Sequence, residues 1–124
     1  MSNKPETMMI DDVKYVREDS IASAPAEKMD GLEHVIIRSR DAGVFAGYLS
    51  HKDGGEVVLQ KTIRIWYWEG AASLSQLAVD GVSEPDKCKF SVETNNHTVM
   101  GVCEIIPTTA KAKASIEGVV EWKA

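Results

Sequence analysis

The sequence predicts an α+β fold: a mainly antiparallel sheet with two short helices packed on it. Three observations predict it. Runs of β-branched and aromatic residues recur from Val35 onward, the links between them are short and rich in Gly or Asn, and only two segments carry helix-start signals. Short links favour antiparallel neighbours, because a parallel crossover needs about a dozen residues or more.

Val35-Ile36-Ile37 reads as a strand buried on both faces, and Ser39 to Gly43 turns the chain into a second strand, Val44 to Leu49. Lys52-Asp53-Gly54-Gly55 is a hairpin signal, since Gly supplies positive φ without steric cost, and Glu56 to Gln60 returns as the third strand. Ile63 to Trp68 alternates strictly. Ile63, Ile65 and Tyr67 share a core-like face, while Arg64, Trp66 and Trp68 share the other and place a guanidinium beside two indoles. Ser73 caps a short helix bearing Leu74, Leu77 and Ala78 and stopped at Gly81. Lys89 to Thr94 and Thr98 to Ile106 are further strands around an Asn95-Asn96 turn. Thr108 or Thr109 caps a last helix to about Glu117, and 119–122 adds an edge strand. Helices on one face leave the other face bare, for a second subunit to cover.

The 124 residues make one domain, with 44% hydrophobic and 27% charged residues. Residues 1–31 read as an arm, loose or exchanged between subunits, with a short strand at 13–16 and a small-residue linker at 20–26. Residues 32–124 read as a single α+β domain, expected to bind a ligand. A net charge of −5 disfavours long nucleic acid. No apolar run is long enough for a membrane span, and no apolar stretch follows Lys4 as a signal peptide requires. Cys88 and Cys103 read as two buried thiols in a reducing cytosol.

No catalytic constellation is legible. His34, His51 and His97 read as solvated histidines without metal-ligand spacing, and neither a nucleophile elbow nor a phosphate loop is present, so the expectation is no enzyme, no metal and no cofactor. Binding chemistry is more evident. Indoles stack on bases and arginine forks onto phosphate, which suits Arg64, Trp66 and Trp68; the alternative is aromatics packed beneath the helices with Arg64 reaching to solvent. Arg38 and Arg40 beside Gly43 are a second anion candidate or simply solvated at a turn. Phe90 with Asn95 and Asn96 suits a purine and ribose, or is one core Phe and a hairpin turn.

Residues His34 to Trp122 resemble a family of small phage and prophage proteins, through Val35-Ile36-Ile37-Arg38, through 42–49 (Ala-Gly-Val-Phe-Ala-Gly-Tyr-Leu), and through the long Trp-containing segment 64–78. Cys88-Lys89-Phe90 and Glu104-Ile105-Ile106-Pro107 follow in the same order. The chain is similar to the anti-Thoeris sponge proteins (Thoeris anti-defence, first type). That resemblance implies a homo-oligomer, dimer or hexamer, acting in the cytoplasm of an infected bacterial host. It would sequester cyclic ADP-ribose isomers, and in some members cyclic oligonucleotides, without cleaving them. It further implies a ligand-stacking role for Phe90, a contact from Asn95 or Asn96, and a phosphate contact from Arg64. A basic residue expected on the last helix falls to Lys111 or Lys113, a point charge where a fork is expected. The competing expectation is a phage structural or accessory protein that works through protein–protein contacts of its aromatic face.

Overall fold

Three long strands in succession form the centre of the computed structural model, which describes residues 24–123 and the short strands Met8–Met9 (β1) and Asp12–Val13 (β2). The strand expected at 13–16 and the linker expected at 20–26 fall outside the described residues, save Val13 and residues 24–26. Strand β3 is Glu33–Ser39, β4 is Gly43–Asp53 and β5 is Glu56–Tyr67. The two segments read separately as Glu56 to Gln60 and Ile63 to Trp68 thus merge into one strand, which ends at Tyr67, and Gly54 turns the β4–β5 hairpin at φ +60°. Then follow helix α1 (Leu74–Asp80), a 3-10 turn (Pro85–Lys87), strands β6 (Lys89–Phe90), β7 (His97–Val99) and β8 (Val102–Pro107), and helix α2 (Ala110–Glu117). The fold is the predicted α+β architecture, and every pairing in the main six-stranded sheet is antiparallel.

One expected strand, Thr98 to Ile106, is broken at Met100-Gly101, and the break shapes the molecule. β7 pairs with β5, whereas β8 pairs with β3 on the far side of the meander. The path β7-β5-β4-β3-β8 therefore returns on itself, and Val102 N–H to Gly55 O (2.9 Å) with Ser39 Oγ to Met100 O (2.8 Å) ties the corner. Val35, Ile37, Phe45, Val57, Leu59 and Val99 fill the interior so enclosed. The sheet face expected to be bare is therefore covered by the chain's own curl.

The outer face of the same sheet carries both helices. Ile36, Ala46, Ile65 and Phe90 from the strands meet Leu77 and Ala78 of α1 and Ile116 of α2. Each fully buried large aliphatic or aromatic side chain contributes about 1.5–3 kcal/mol. Ser73 caps α1 by accepting from Gln76 N–H, and Thr109 caps α2 by accepting from Ala112 N–H. The helices are set close because Gly81 ends α1: a Cβ there would lie 2.4 Å from Ser115 Cβ, and the Ser115 hydroxyl accepts from Val82 N–H (3.0 Å) and donates to Val82 O (3.1 Å). Before β3, Ala24 and Ala26 pair with the start of α2 (Ala110 N–H to Ala24 O 2.7 Å, Ala26 N–H to Thr108 O 3.0 Å). The tail meets β6 through a parallel bridge from Glu121 to Phe90, at the place where an edge strand was expected. No described helix is long and apolar enough to cross a membrane.

Two expectations fail here. Tyr67 lies half-exposed, with its hydroxyl on the Glu69 carboxylate, rather than in the core. Cys103 is exposed, being the extra residue where the β3–β8 register slips, and only Cys88 is buried.

Candidate functional site

Between the outer sheet face and α2 lies a cleft of about 520 Å³, within the range of small-molecule sites of about 300–1,000 Å³. Strand alternation puts His34 of β3 and Tyr48 of β4 on the face that looks at α2, and register makes them direct partners. Their rings meet edge to face at 5.0 Å. Ala46, Ile63, Phe90 and Ile116 complete an apolar floor. Lys113 and Glu117, one turn apart on α2, stand over it with Nζ 3.1 Å from Oε1. The Tyr48 hydroxyl donates to Glu117 Oε2 at 3.2 Å, and Lys113 Nζ lies 5.8 Å from the centroid of the Tyr48 ring.

The electrostatics follow from this burial. Desolvation pulls the His34 imidazole down to about 4, with Glu117 opposing and Lys113 adding to the fall. Burial likewise pushes the Tyr48 phenol up. Lys113 is raised, chiefly by hydrogen bonding toward the Tyr48 hydroxyl, with Glu117 contributing. Thr108 Oγ1 donates to the His34 carbonyl (3.1 Å), so it accepts from His34 Nδ1 at 2.7 Å. The neutral ring is thereby left with Nε2 as an acceptor. His34, read from sequence as solvated, is one of the most buried polar groups.

The rim is shaped by a bulge. Gly47 of β4 opposes two residues of β5, Lys61 and Thr62, and Lys61 adopts φ +48°, a left-handed conformation uncommon for a lysine. Gly47 is favoured there, since a Cβ would lie 3.1 Å from Gln60 O and 3.2 Å from Thr62 Cα, tight contacts that the β5 backbone must give way to relieve. The bulge places Lys61 on the cleft wall. Asn95 and Asn96 hold it: Asn95 Oδ1 accepts from Lys61 N–H (2.9 Å), while Asn96 and Gln60 exchange two bonds (2.8 and 2.9 Å).

The residues singled out from sequence are thus dispersed. Phe90 and Lys113 share the cleft, although Phe90 is only 1% exposed and belongs to its floor. Asn95 and Asn96 serve the bulge beside it. Arg64 lies on the opposite sheet face, over the Phe45 ring. Trp66 stands 65% exposed, whereas Trp68, beyond the end of β5, turns back to the helix-side core and bonds Ala71 O through its indole N–H (3.3 Å). The two indoles and the guanidinium therefore do not form one surface. Arg38 and Arg40 line a separate groove with Cys103, each paired with a carboxylate, Glu104 (3.4 Å) and Asp41 (3.6 Å). Lys111 pairs with Asp80 of α1 at 3.5 Å. Among the described residues, no three His, Cys, Asp or Glu side chains are grouped to hold a metal.

Sequence reasoning missed Tyr48, His34, Glu117 and Lys61. Tyr48 was findable from its two-residue spacing to Ala46, and Glu117 from its four-residue spacing to Lys113. The His34–Tyr48 pairing depends on inter-strand register, which leaves no local signal; Lys61 depends on a bulge, whose one local sign is Gly47 on the facing strand.

Residues 32–116 match a family model described as a domain of unknown function, DUF6948. No curated protein and no solved structure matches the chain.

Proposed function

We propose that this chain, which belongs to the DUF6948 family, is a non-catalytic binding protein that sequesters a nucleotide-like small molecule in the cleft between its sheet and α2. The observation that carries the reading is the cleft itself: an apolar and aromatic floor beneath a charged rim on which Lys28, Lys61 and Lys113 alternate with Glu27, Glu93, Glu117 and Glu121, a concave site able to bury a ring and to meet both donors and charge. A base or ribose finds Tyr48, Phe90 and Ile63 below and the acceptor Nε2 of His34 beside them. A phosphate finds Lys113 and Lys61 on the walls. Because Lys113 rests on Glu117, an anionic ligand must take Lys113 from that carboxylate, so the site favours ligands with both a ring to bury and a charge to place. The Ser91 hydroxyl in the cleft wall accepts from Arg64 N–H (2.8 Å) and donates to Val92 O (2.9 Å), an anchoring role rather than that of an activated nucleophile.

The ligand class comes from the sequence resemblance to phage anti-Thoeris sponges: cyclic ADP-ribose isomers made as immune signals, held intact in the cytoplasm of an infected host by a homo-oligomer. The test is a release assay. The protein is incubated with a glycocyclic ADP-ribose isomer and filtered, the retained fraction is heat-denatured, and mass spectrometry identifies what is freed. Intact ligand recovered only after denaturation supports sequestration. Ligand left in the filtrate removes the sponge reading, and a cleaved product replaces it with an enzyme.

One observation favours a second reading, a phage structural or accessory protein that docks on other proteins. Trp66 is largely exposed at the end of β5 next to half-exposed Tyr67, the residue types enriched at interfaces. Trp66→Ser leaves ligand retention unchanged under the first reading and abolishes partner capture under the second.

A further inference from the structure

His34 presents one hydrogen-bonding atom to the cleft, and the role of that atom is fixed by its neighbours. The residue is only 3% exposed and lines the cleft. Its Nδ1 is spent on Thr108 Oγ1 at 2.7 Å, and that hydroxyl donates to the His34 carbonyl at 3.1 Å, so Nδ1 carries the proton. A ring flip would set a carbon against the Thr108 hydroxyl and lose the bond, and the ring is packed edge to face on Tyr48 at 5.0 Å. Nε2 is left as a lone-pair acceptor, and no donor among the described residues reaches it. The cleft donors beside it are engaged elsewhere: the Tyr48 hydroxyl donates to Glu117 Oε2 (3.2 Å), and Lys113 Nζ sits 3.1 Å from Glu117 Oε1.

An acceptor nearly out of water costs free energy unless a donor meets it. While the cleft is open, solvent reaches Nε2 through it. A ring or sugar that covers the floor of Ala46, Ile63 and Phe90 shuts that solvent out, so it must bring a donor of its own. The imidazole cannot answer by donating from Nε2, because burial keeps it neutral at ordinary pH, pulling its pKa down to about 4. We propose that His34 is a specificity-determining residue: through Nε2 it selects ligands that present an N–H or O–H donor there, an exocyclic amine or a sugar hydroxyl, and rejects otherwise equal ligands in which that donor is methylated or missing. The inference rests on the cleft reading and narrows it. Phosphate oxygens are acceptors and gain nothing from Nε2, so it is the base or the sugar, not the charged end, that sits against His34.

The test compares the affinity of the full chain, by calorimetric titration, for AMP and three analogues that lack donors: AMP dimethylated on its exocyclic amine, 2′-deoxy-AMP and 3′-deoxy-AMP. One of the three is expected to bind at least about tenfold more weakly than AMP. A loss with the dimethylated form identifies the base amine as the donor, and a loss with a deoxy form identifies a sugar hydroxyl. His34→Asn keeps an amide N–H where Nδ1 stood, so the Thr108 bond survives, and puts nothing where Nε2 was. In that variant, folded by circular dichroism, AMP and the discriminated analogue are expected to bind within about twofold of each other, since neither finds an acceptor. Proton–nitrogen NMR of the wild-type imidazole reads the same atom without a substitution: Nε2 is expected to be unprotonated and to shift when AMP or a glycocyclic ADP-ribose isomer binds. A proton on Nε2, a bound ligand that leaves its resonance unmoved, analogues that all bind as AMP does, or a tenfold preference that persists in His34→Asn overturns this inference and leaves the cleft reading standing. Failure of both AMP and the cyclic isomer to bind removes the cleft reading and this inference with it.

Discussion

Asn95 Oδ1 accepts the backbone N–H of Lys61 at 2.9 Å, and this bond holds a lysine in a left-handed conformation at the wall of the cleft. The turn carrying Asn95 and Asn96 therefore acts on the site through β5. Asn95→Ala removes the acceptor and leaves the bulge N–H to solvent, at a cost of about 0.5–1.5 kcal/mol in unfolding free energy. The measurement is urea denaturation alongside ligand retention. Expected is a modest stability loss with weakened binding. Unchanged stability with abolished binding would make Asn95 a direct ligand contact.

Gly47 is the other half of that bulge. A Cβ at Gly47 must push against Gln60 O and Thr62 Cα, both backbone atoms of β5 that cannot swing aside. Gly47→Ala is expected to destabilise the protein by about 1–3 kcal/mol through overpacking. Thermal unfolding checks it, and a change within experimental error would mean that the bulge relaxes without strain.

The sequence announced its local devices well. The Ser73 and Thr109 caps and the Gly54-Gly55 turn each rest on contacts within a few residues, and the Val35-Ile36-Ile37 strand shows in an unbroken β-branched run although its partners lie far along the chain. It did not announce that β7 and β8 part at Met100-Gly101 to pair with opposite edges, because alternation looks the same whichever neighbour a strand takes. The site suffered for the same reason. Phe90 and Lys113 were recognisable as chemistry, but Tyr48 and His34 join them only through the β3–β4 register and the packing of α2. Trp68 was misplaced because alternation was extended one residue past the end of β5 at Tyr67.

Lys113 and Tyr48 share Glu117, so their removal separates charge from shape in the cleft. Lys113→Met keeps the stem and deletes the ammonium, and is expected to weaken a phosphate-bearing ligand by about 10–100-fold, the worth of a charge-assisted hydrogen bond. Tyr48→Phe deletes only a hydroxyl that bonds to Glu117, so the expected loss is at most about tenfold. Calorimetric titration of both variants with one ligand decides the matter. Equal losses, or a larger one for Tyr48→Phe, would show that the ligand reads the phenol rather than the cation.

His34 ties the cleft to pH. Its pKa is about 4 when folded against an ordinary value of 6.5, so the unfolded chain binds the extra proton between those values. The sign follows directly: stability is fully present above about pH 6.5, falls as the pH drops toward 4, and levels off below that as far as this group is concerned. The total contribution is on the order of 3 kcal/mol. His97 is lowered too, by burial and by Arg64, and adds a change of the same sign. The His34 part is therefore read by difference, as urea midpoints across roughly pH 4–7 for the wild type and for His34→Gln. Gln can still donate toward Thr108 but cannot titrate, so the variant is expected to lose most of the slope. A slope as steep in the variant would assign the acid sensitivity to other groups, and ligand retention across the same range would then show whether the cleft opens with it.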